Sequence, residues 1–600
     1  MFERNLLLYG DNLDFLRDSG QFPNESVDLI YLDPPFNSNA DYNVLFRDAG
    51  GVQSAAQIKA FTDTWSWDES ANLSFTCLME DQHTPANLAA LLRTFHAFLG
   101  HSPMLAYLVQ MAVRLVHLRR VLKPTGSLYL HCDPTASHYL KLVLDGIFGP
   151  QYFQNEIIWR RTGSHNSADR FGPIHDVLLF YKASQAATFN VQCRPYMRGH
   201  VQRRFKADDE GRLRFTSGGN ILTGPGVTQG ESGQPWRGFD PSKKGRHWAL
   251  PKRFEKRMPP EYARKGLLDK LEMLYRAGLI EIVKESVWPV PVWYLDETDG
   301  QPLQDIWACQ PYTEGTVYGT EERIDADVAW LGTTDPERLG YQTQKPLGLL
   351  RRCILASSNP GDVILDPFCG CGTTIDAVEM LNREYADERP RRWIGIDVTH
   401  LAINLIKYRL SRFDPPAKYD VHGEPRDLAG ARQLFKDDPY QFQFWACGLV
   451  GARPVGATPD APKKGKKGSD RGIDGERIFV DREPQAILVQ VKGGKVGAAQ
   501  VRDFVGTIQR EKAALGFFVT LEKPTKAMRT EAAAAGAFIS VMEKDAAVPK
   551  VQLVTIEQLL AGGTPRQPNG LQLPPYSQFD RTVKKAKVHD QGSLFMPGAD

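Results

Sequence analysis

Asp33-Pro34-Pro35-Phe36 stands near the start of the chain, and Asp366-Pro367-Phe368-Cys369-Gly370-Cys371-Gly372-Thr373-Thr374 lies far downstream. The first suits a planar exocyclic amine. The lone pair of such an amine is delocalised into its ring, so a site must draw it out of conjugation before it can attack. The Asp33 carboxylate can accept one N–H. A backbone carbonyl held rigid by Pro34 and Pro35 can accept the other, with no competing donor at Pro34. Phe36 offers a face on which a base can stack. Taken alone, Asp-Pro-Pro also fits an ordinary turn.

The second motif suits a nucleoside cofactor. Gly370 and Gly372 allow close backbone approach, and Thr373 opens a helix whose first N–H groups face a ligand. Asp366 and Phe368 precede the turn. Asp397 ends the next expected strand, where an acid can accept hydrogen bonds from ribose hydroxyls. Its distance from the glycines exceeds the usual twenty or so residues, consistent with an inserted loop over 384–391.

A third constellation lies near the C-terminus. Asp470-Arg471-Gly472-Ile473-Asp474-Gly475 precedes a hairpin-like pair at 478–480 and 486–491. Gln490 and Lys492 are two apart and point the same way from a strand. Asp474, with Gln490, could bind a divalent metal such as Mg²⁺, and Lys492 could polarise a water beside it.

These residues need elements to hold them. Over 1–154 the pattern alternates strand and helix: strands at 6–9, 27–32 and 127–131, helices at 13–16, 105–122 and 139–147. Such alternation with short turns predicts a parallel, doubly wound sheet. Residues 155–335 are rich in Gly, Pro, Arg, Lys and Trp and read as an inserted recognition domain. Residues 336–415 return to the alternation, with helices at 347–357, 374–381 and 400–410 and strands at 362–365 and 393–396. A polar linker at 416–438, a smaller α/β unit at 439–560 and a mobile tail at 561–600 complete the expectation.

Six hundred residues require several compact units. The net charge of +2 leaves nucleic-acid binding to local clusters. One cluster holds Arg194, Arg198, Arg203, Arg204 and Lys206; another holds Lys243, Lys244, Arg246, His247, Trp248, Lys252, Arg253, Lys256 and Arg257. Cations interleaved with aromatics suit phosphate contacts and stacking, though a solvated basic face reads the same. The run at 463–467 reads as a basic loop near DNA. Eight scattered cysteines without C-x-x-C pairs fit a reduced cytoplasmic compartment. No signal peptide and no membrane-spanning run is expected.

In this order, the motifs resemble those of DNA amino-methyltransferases of the beta arrangement, over roughly 5–412. Supporting segments are Gly10-Asp11, Lys123 to Asp133 with its Gly126-Ser127-Leu128-Tyr129-Leu130-His131, Asn155-Glu156-Ile157-Ile158-Trp159, and Thr343-Gln344-Lys345-Pro346. The resemblance implies a Rossmann-like sheet, S-adenosylmethionine as methyl donor, double-stranded DNA as partner, and a base flipped out of the duplex. It implies that Asp33 and Phe36 serve the base, and that Asp11, Lys345, Asp366, Phe368, Gly370, Gly372 and Asp397 line the cofactor pocket. Phe36 departs from the commoner Tyr, which keeps stacking but loses a hydroxyl. Asp rather than Ser at the first position points to adenine N6, with cytosine N4 the alternative. The segment 440–545 resembles the Mrr-type branch of PD-(D/E)xK nucleases, in which Gln often replaces the first acid of the final pair. Phe442-Gln443-Phe444-Trp445 stands where a helical Glu is often found, so one metal ligand is missing. The expectation is an adenine-specific methyltransferase fused to a restriction-type nuclease needing Mg²⁺. A C-terminal domain that only binds DNA, a non-catalytic component of a defence complex, and a homodimer remain open.

Overall fold

The computed structural model describes residues 2–35, 65–82, 84–164, 171–217, 219–283, 286–332, 335–339, 341, 343–386, 389–455, 472–543, 547–568 and 571–572. Phe36, Asp470, the basic run at 463–467 and most of the expected tail lie outside the described residues.

The chain forms two compact units. The first comprises Met1–Asn190, Asp305–Ala308 and Asp327–Asp600. Its larger sheet contains β1 (Asn5–Tyr9), β2 (Val27–Leu32), β3 (Leu122–Cys132), β4 (Phe153–Arg160), β5 (His175–Lys182), β6 (Ile306–Trp307), β7 (Val363–Asp366), β8 (Arg392–Asp397) and β9 (Tyr419–His422). Their order across the sheet is β6-β4-β5-β3-β2-β7-β8-β1-β9. The two halves of the sequence pattern thus meet where β2 pairs in parallel with β7. β2 is buried throughout, as a strand covered on both faces must be. Its Val27, Ile30 and Leu32 enter one core, while Leu29 and Tyr31 enter the other.

Three expectations change. The sheet is mixed, because β5 runs antiparallel to both β3 and β4. Consequently 155–182 is not part of an insertion. Ile157, Trp159 and Val177 to Tyr181 are buried in the central sheet, and their apolar run outweighs the Gly- and Arg-rich composition around them. The second unit is correspondingly smaller, Val191–Gln304 with Cys309–Ala326. Finally, 416–438 is not a bare linker. β9 covers the outer edge of β1, which would otherwise present unpaired N–H and C=O groups. It is followed by a helix over Leu428–Asp437.

Around the sheet pack α1 (Asn12–Arg17), α2 (Pro103–Val121), α3 (Leu347–Ser357), α4 (Thr373–Tyr385) and α5 (His400–Ser411). Local chemistry starts them: Ser102 accepts from Leu105 N ahead of Pro103, and Thr399 accepts from Ala402 N. Then come α6 (Leu428–Asp437) and α7 (Pro439–Leu449). α6 places Leu428, Ala431, Leu434 and Phe435 at helical spacing against the C-terminal core, a short stripe within a polar sequence. The C-terminal sheet holds β10 (Gly475–Asp481), antiparallel to β11 (Glu483–Lys492), then β12 (Leu515–Thr520) and β13 (Val551–Thr555) in parallel. Phe442, Trp445, Ala446 and Cys447 of α7 fill its core. α8 (Ala498–Arg510) covers the other face with Val501, Phe504 and Ile508. Leu571–Gln572 pairs with β10, so the start of the expected tail is ordered.

The second unit is built around Trp236, Trp248, Trp288, Trp293 and Phe254. Trp248, expected as a stacking surface, is instead a buried core residue. Among the described residues no helix is long and apolar enough to cross a membrane.

Candidate active site

Four neighbouring parallel strands end at the same edge of the large sheet. β2 delivers Asp33, β7 delivers Asp366, β8 delivers Asp397 and β1 delivers Gly10-Asp11. Ligand sites of open α/β sheets form at such carboxyl ends.

Asp33 is half-buried and its carboxylate is ion-paired with the Lys345 ammonium, which also donates to Thr343 O at 3.2 Å. Lys345 is buried and precedes Pro346 and α3. Sequence reasoning placed Lys345 on the cofactor; the structure pairs it with Asp33. Behind Asp33, on the same face of β2, lies a buried polar chain. Tyr31 Oη is 2.9 Å from His131 Nδ1, His131 Nε2 is 3.2 Å from Asp176 Oδ2, and Arg161 Nε is 3.2 Å from Asp176 Oδ1. Burial alone would raise the Asp176 carboxyl, but the His131 hydrogen bond and the nearby cations hold it below the usual range.

The glycine turn after β7 adopts the expected geometry. Gly370 (φ +48°) and Gly372 (φ +76°) are left-handed. A Cβ at Gly370 would meet the Tyr341 ring at 3.3 Å, and one at Gly372 would meet Ile406 Cγ1 at 2.6 Å. Asp397 ties its strand to this turn. Its Oδ2 accepts from Gly370 N at 2.9 Å, and its Oδ1 accepts from Thr399 N and Oγ1. Asp366 is wholly buried: Oδ2 accepts from Thr374 Oγ1 at 2.5 Å and Oδ1 from Phe368 N at 3.1 Å. Burial pushes the Asp366 carboxyl up to about 7 and Asp397 up to about 6. These residues fit a nucleoside cofactor: a turn with two glycines of left-handed backbone, and an acid fixed at the next strand end.

Two predicted residues have other partners. Asp11 caps α1 through Leu13 N and accepts both Arg114 Nη2 hydrogen bonds, at 2.9 and 3.0 Å. Thr373 Oγ1 accepts from Arg409 Nη1 at 3.1 Å. Sequence reasoning missed their partners. Arg114 also donates to Asn12, whose Nδ2 donates to Pro367 O at 2.7 Å. Arg409 donates to Cys371 O at 3.0 Å and pairs with buried Asp376 at 3.1 Å. An arginine within a largely apolar helical stretch was the available signal for each, because such a charge needs a buried partner.

Asp474, Gln490 and Lys492, expected to serve a Mg²⁺ site, lie on or beside the C-terminal hairpin. Asp474 Oδ2 is held by Val491 N at 2.7 Å, inside the strand ladder. Gln490 is buried with Oε1 lacking a hydrogen-bond partner. Among the described residues no group of three or more His, Cys, Asp or Glu could hold a metal ion.

In the second unit, Arg203, Arg204, Lys206, Lys243, Lys244, Lys252, Arg253 and Lys256 are exposed. Arg246 and Arg257 instead bind their own unit, donating to Thr223 and Val292 O. Arg194 pairs with Asp325, and Arg253 stacks 3.5 Å above the Trp293 ring.

A mixed sheet with an acid, a glycine turn and a second acid along one edge is an arrangement in keeping with a DNA methylase. The family model of that description matches residues 27–408, more than half of the chain, and the chain belongs to this family. It is 29% identical over 308 residues to the type II methyltransferase M.EcaI of Enterobacter cloacae, covering 51% of this chain and 58% of that one. It is 26% identical over 392 residues to the type III restriction-modification enzyme StyLTI Mod subunit of Salmonella typhimurium (strain LT2), covering 64% and 51%. The DNA adenine methyltransferase YhdJ of Escherichia coli (strain K12) is 44% identical over 81 residues, 14% of this chain and 24% of that one. The chain thus spans about half the length of the first two relatives. A second model, described as NACHT-associated inactive restriction endonuclease 1, matches residues 460–561.

Proposed function

We propose that this chain methylates an exocyclic amine of a base in double-stranded DNA, adenine N6 in preference to cytosine N4, using S-adenosylmethionine. The observation that carries the reading is the adjacency of β2 and β7, which sets Asp33 one strand from the Asp366 turn. The bound donor would supply a sulfonium methyl group. Gly370, Gly372 and Asp397 would hold its nucleoside, and Asp33 would accept an N–H of the amine and turn its lone pair toward the methyl. Positioning and fixed dipoles would account for much of the acceleration. Asp at the head of the tetrapeptide and the similarity to YhdJ favour adenine. The type III Mod relative favours a role in restriction-modification.

The C-terminal unit is read as a non-cleaving member of the endonuclease fold. The single pinned carboxylate and the match to an inactive family support this over the nuclease expected from sequence.

Tritium transfer from labelled S-adenosylmethionine to unmethylated duplex DNA tests the first reading. Nuclease digestion and mass spectrometry then identify the base. Transfer by the wild type and none by Asp33→Ala is expected; equal labelling by both, or none by either, overturns it. Incubation of the same DNA with Mg²⁺ or Mn²⁺ should leave it intact, and cutting that is lost in Lys492→Ala would restore the nuclease.

A further inference from the structure

Residues 409–459 lie between the two family matches. They include α7, which contributes to two structures at once. One face completes the C-terminal core through Phe442 and Trp445. The other packs on α5, the helix that follows Asp397.

That second contact is polar and buried. Gln441 Oε1 accepts from His400 N at 2.8 Å, and Asn404 Nδ2 donates to Phe444 O at 2.8 Å. His400 N belongs to the first turn of α5, where amides have no partner within the helix. His400 is fully buried, so water does not replace Gln441. One residue back, Thr399 donates N–H and O–H to Asp397, and Asp397 accepts from Gly370 N. The Phe444 side chain meanwhile clusters with Cys371, between the two glycines, and with Tyr341. α7 therefore backs both walls of the proposed nucleoside pocket: Gln441 bonds His400, the neighbour of the Thr399 that holds Asp397, and Phe444 shares a cluster with Cys371 of the glycine turn. The approach is close, since a Cβ on Gly448 would fall on the Asn404 side chain.

Building on the methyl-donor reading above, we infer that α7 is part of the cofactor-binding apparatus, with Gln441 a positioning residue for Asp397, so that donor binding and the C-terminal unit are coupled. Such coupling is reciprocal. Removing the Gln441 acceptor loosens the donor, and the donor steadies α7.

The full chain is tested with S-adenosylhomocysteine in calorimetry, with transfer kinetics, and with amide hydrogen exchange. Gln441→Met, which keeps length but lacks the acceptor, should raise the KM for S-adenosylmethionine about five- to tenfold, the scale of one lost buried hydrogen bond. Its kcat and its KM for DNA should change less than twofold. Gln441→Glu restores an acceptor and should recover most of the loss, which a general packing defect would not show. Gly448→Ala should reproduce the donor-specific effect. In the wild type, S-adenosylhomocysteine should slow exchange across residues 439–449. An unchanged KM in Gln441→Met, or no added protection of that helix by the ligand, overturns the inference while the wild type still binds the donor. A wild type that binds no donor overturns the functional reading, and this inference with it.

Discussion

Lys345 reaches across 312 residues of sequence to pair with Asp33, so the proposed catalytic carboxylate is held by a cation from the other half of the sheet. The lysine stem is buried and starts the chain into α3. Lys345→Met removes the cation and leaves a partly buried acid without it. Transfer should fall at least tenfold and thermal stability should drop, by about 1–3 kcal/mol for a charge stripped of its partner. Lys345→Arg should retain part of both. Wild-type transfer and melting temperature in Lys345→Met would remove the pair from the site.

Asp33 itself should be dispensable for donor binding. Asp33→Ala should lose about a hundredfold or more in transfer while S-adenosylhomocysteine affinity stays within about threefold, the pattern of a group needed only for the reacting amine. Calorimetry beside single-turnover transfer separates the two quantities.

Donor binding should depend on pH with a defined sign. Buried Asp366 and Asp397 are raised to about 7 and about 6, above the ordinary carboxylate value near 4. The folded chain therefore holds protons that the unfolded chain has released between about pH 4 and 7. The stability these two groups contribute is present below that window and declines as pH rises through it. A ligand hydrogen-bonded to the ionised acids favours the opposite direction. Donor affinity should rise from about pH 5.5 to 7.5, and binding near pH 6.5 should release protons. Calorimetry in buffers of different ionisation enthalpy reads this directly; a heat independent of buffer refutes it.

Arg409 should matter for folding rather than chemistry. It is 1% exposed, clamps the glycine turn at Cys371 O and Thr373 Oγ1, and faces Asp376, itself 2% exposed. Breaking such a buried pair from one side costs about 3–5 kcal/mol. Arg409→Met should lower the melting temperature by several degrees and weaken donor binding. A melting temperature equal to the wild type would show the clamp to be idle.

The second unit should contact phosphates through its exposed cations. Replacing Arg203, Arg204 and Lys206 by Ala should weaken binding to all duplexes alike. The slope of log K against log salt should shrink by roughly 2–3 for three lost phosphate contacts. A sequence-dependent loss with an unchanged slope would assign them to base readout instead.

Much of the site was legible because its chemistry is local. Asp33 closes an apolar strand, and Gly370-Cys371-Gly372 sits between a strand and a helix, so type and position agreed. The alternation of 27–32 with 105–122 likewise located β2 and α2. What failed was pairing over long distance. No local pattern shows that β5 enters antiparallel between β3 and β4, or that 419–422 covers β1. Trp248 misled because an aromatic beside Arg246 and His247 looks the same in a core as on a surface. The Asp474, Gln490 and Lys492 spacing is ambiguous for another reason: it follows from a hairpin whether or not the acid is free. Its Oδ2 serves Val491 N.

The place of β1 in the sheet has a consequence for how the protein is made. Asn5–Tyr9 leaves the ribosome well before both its neighbours, Arg392–Asp397 and Tyr419–His422, which emerge some four hundred residues later. At synthesis rates of about 5–20 residues per second, this apolar strand waits roughly 20 s or more for its first partner. During that interval Leu6, Leu7 and Leu8 are an unpaired edge, and the proposed donor pocket is completed only once Arg392–Asp397 has been made.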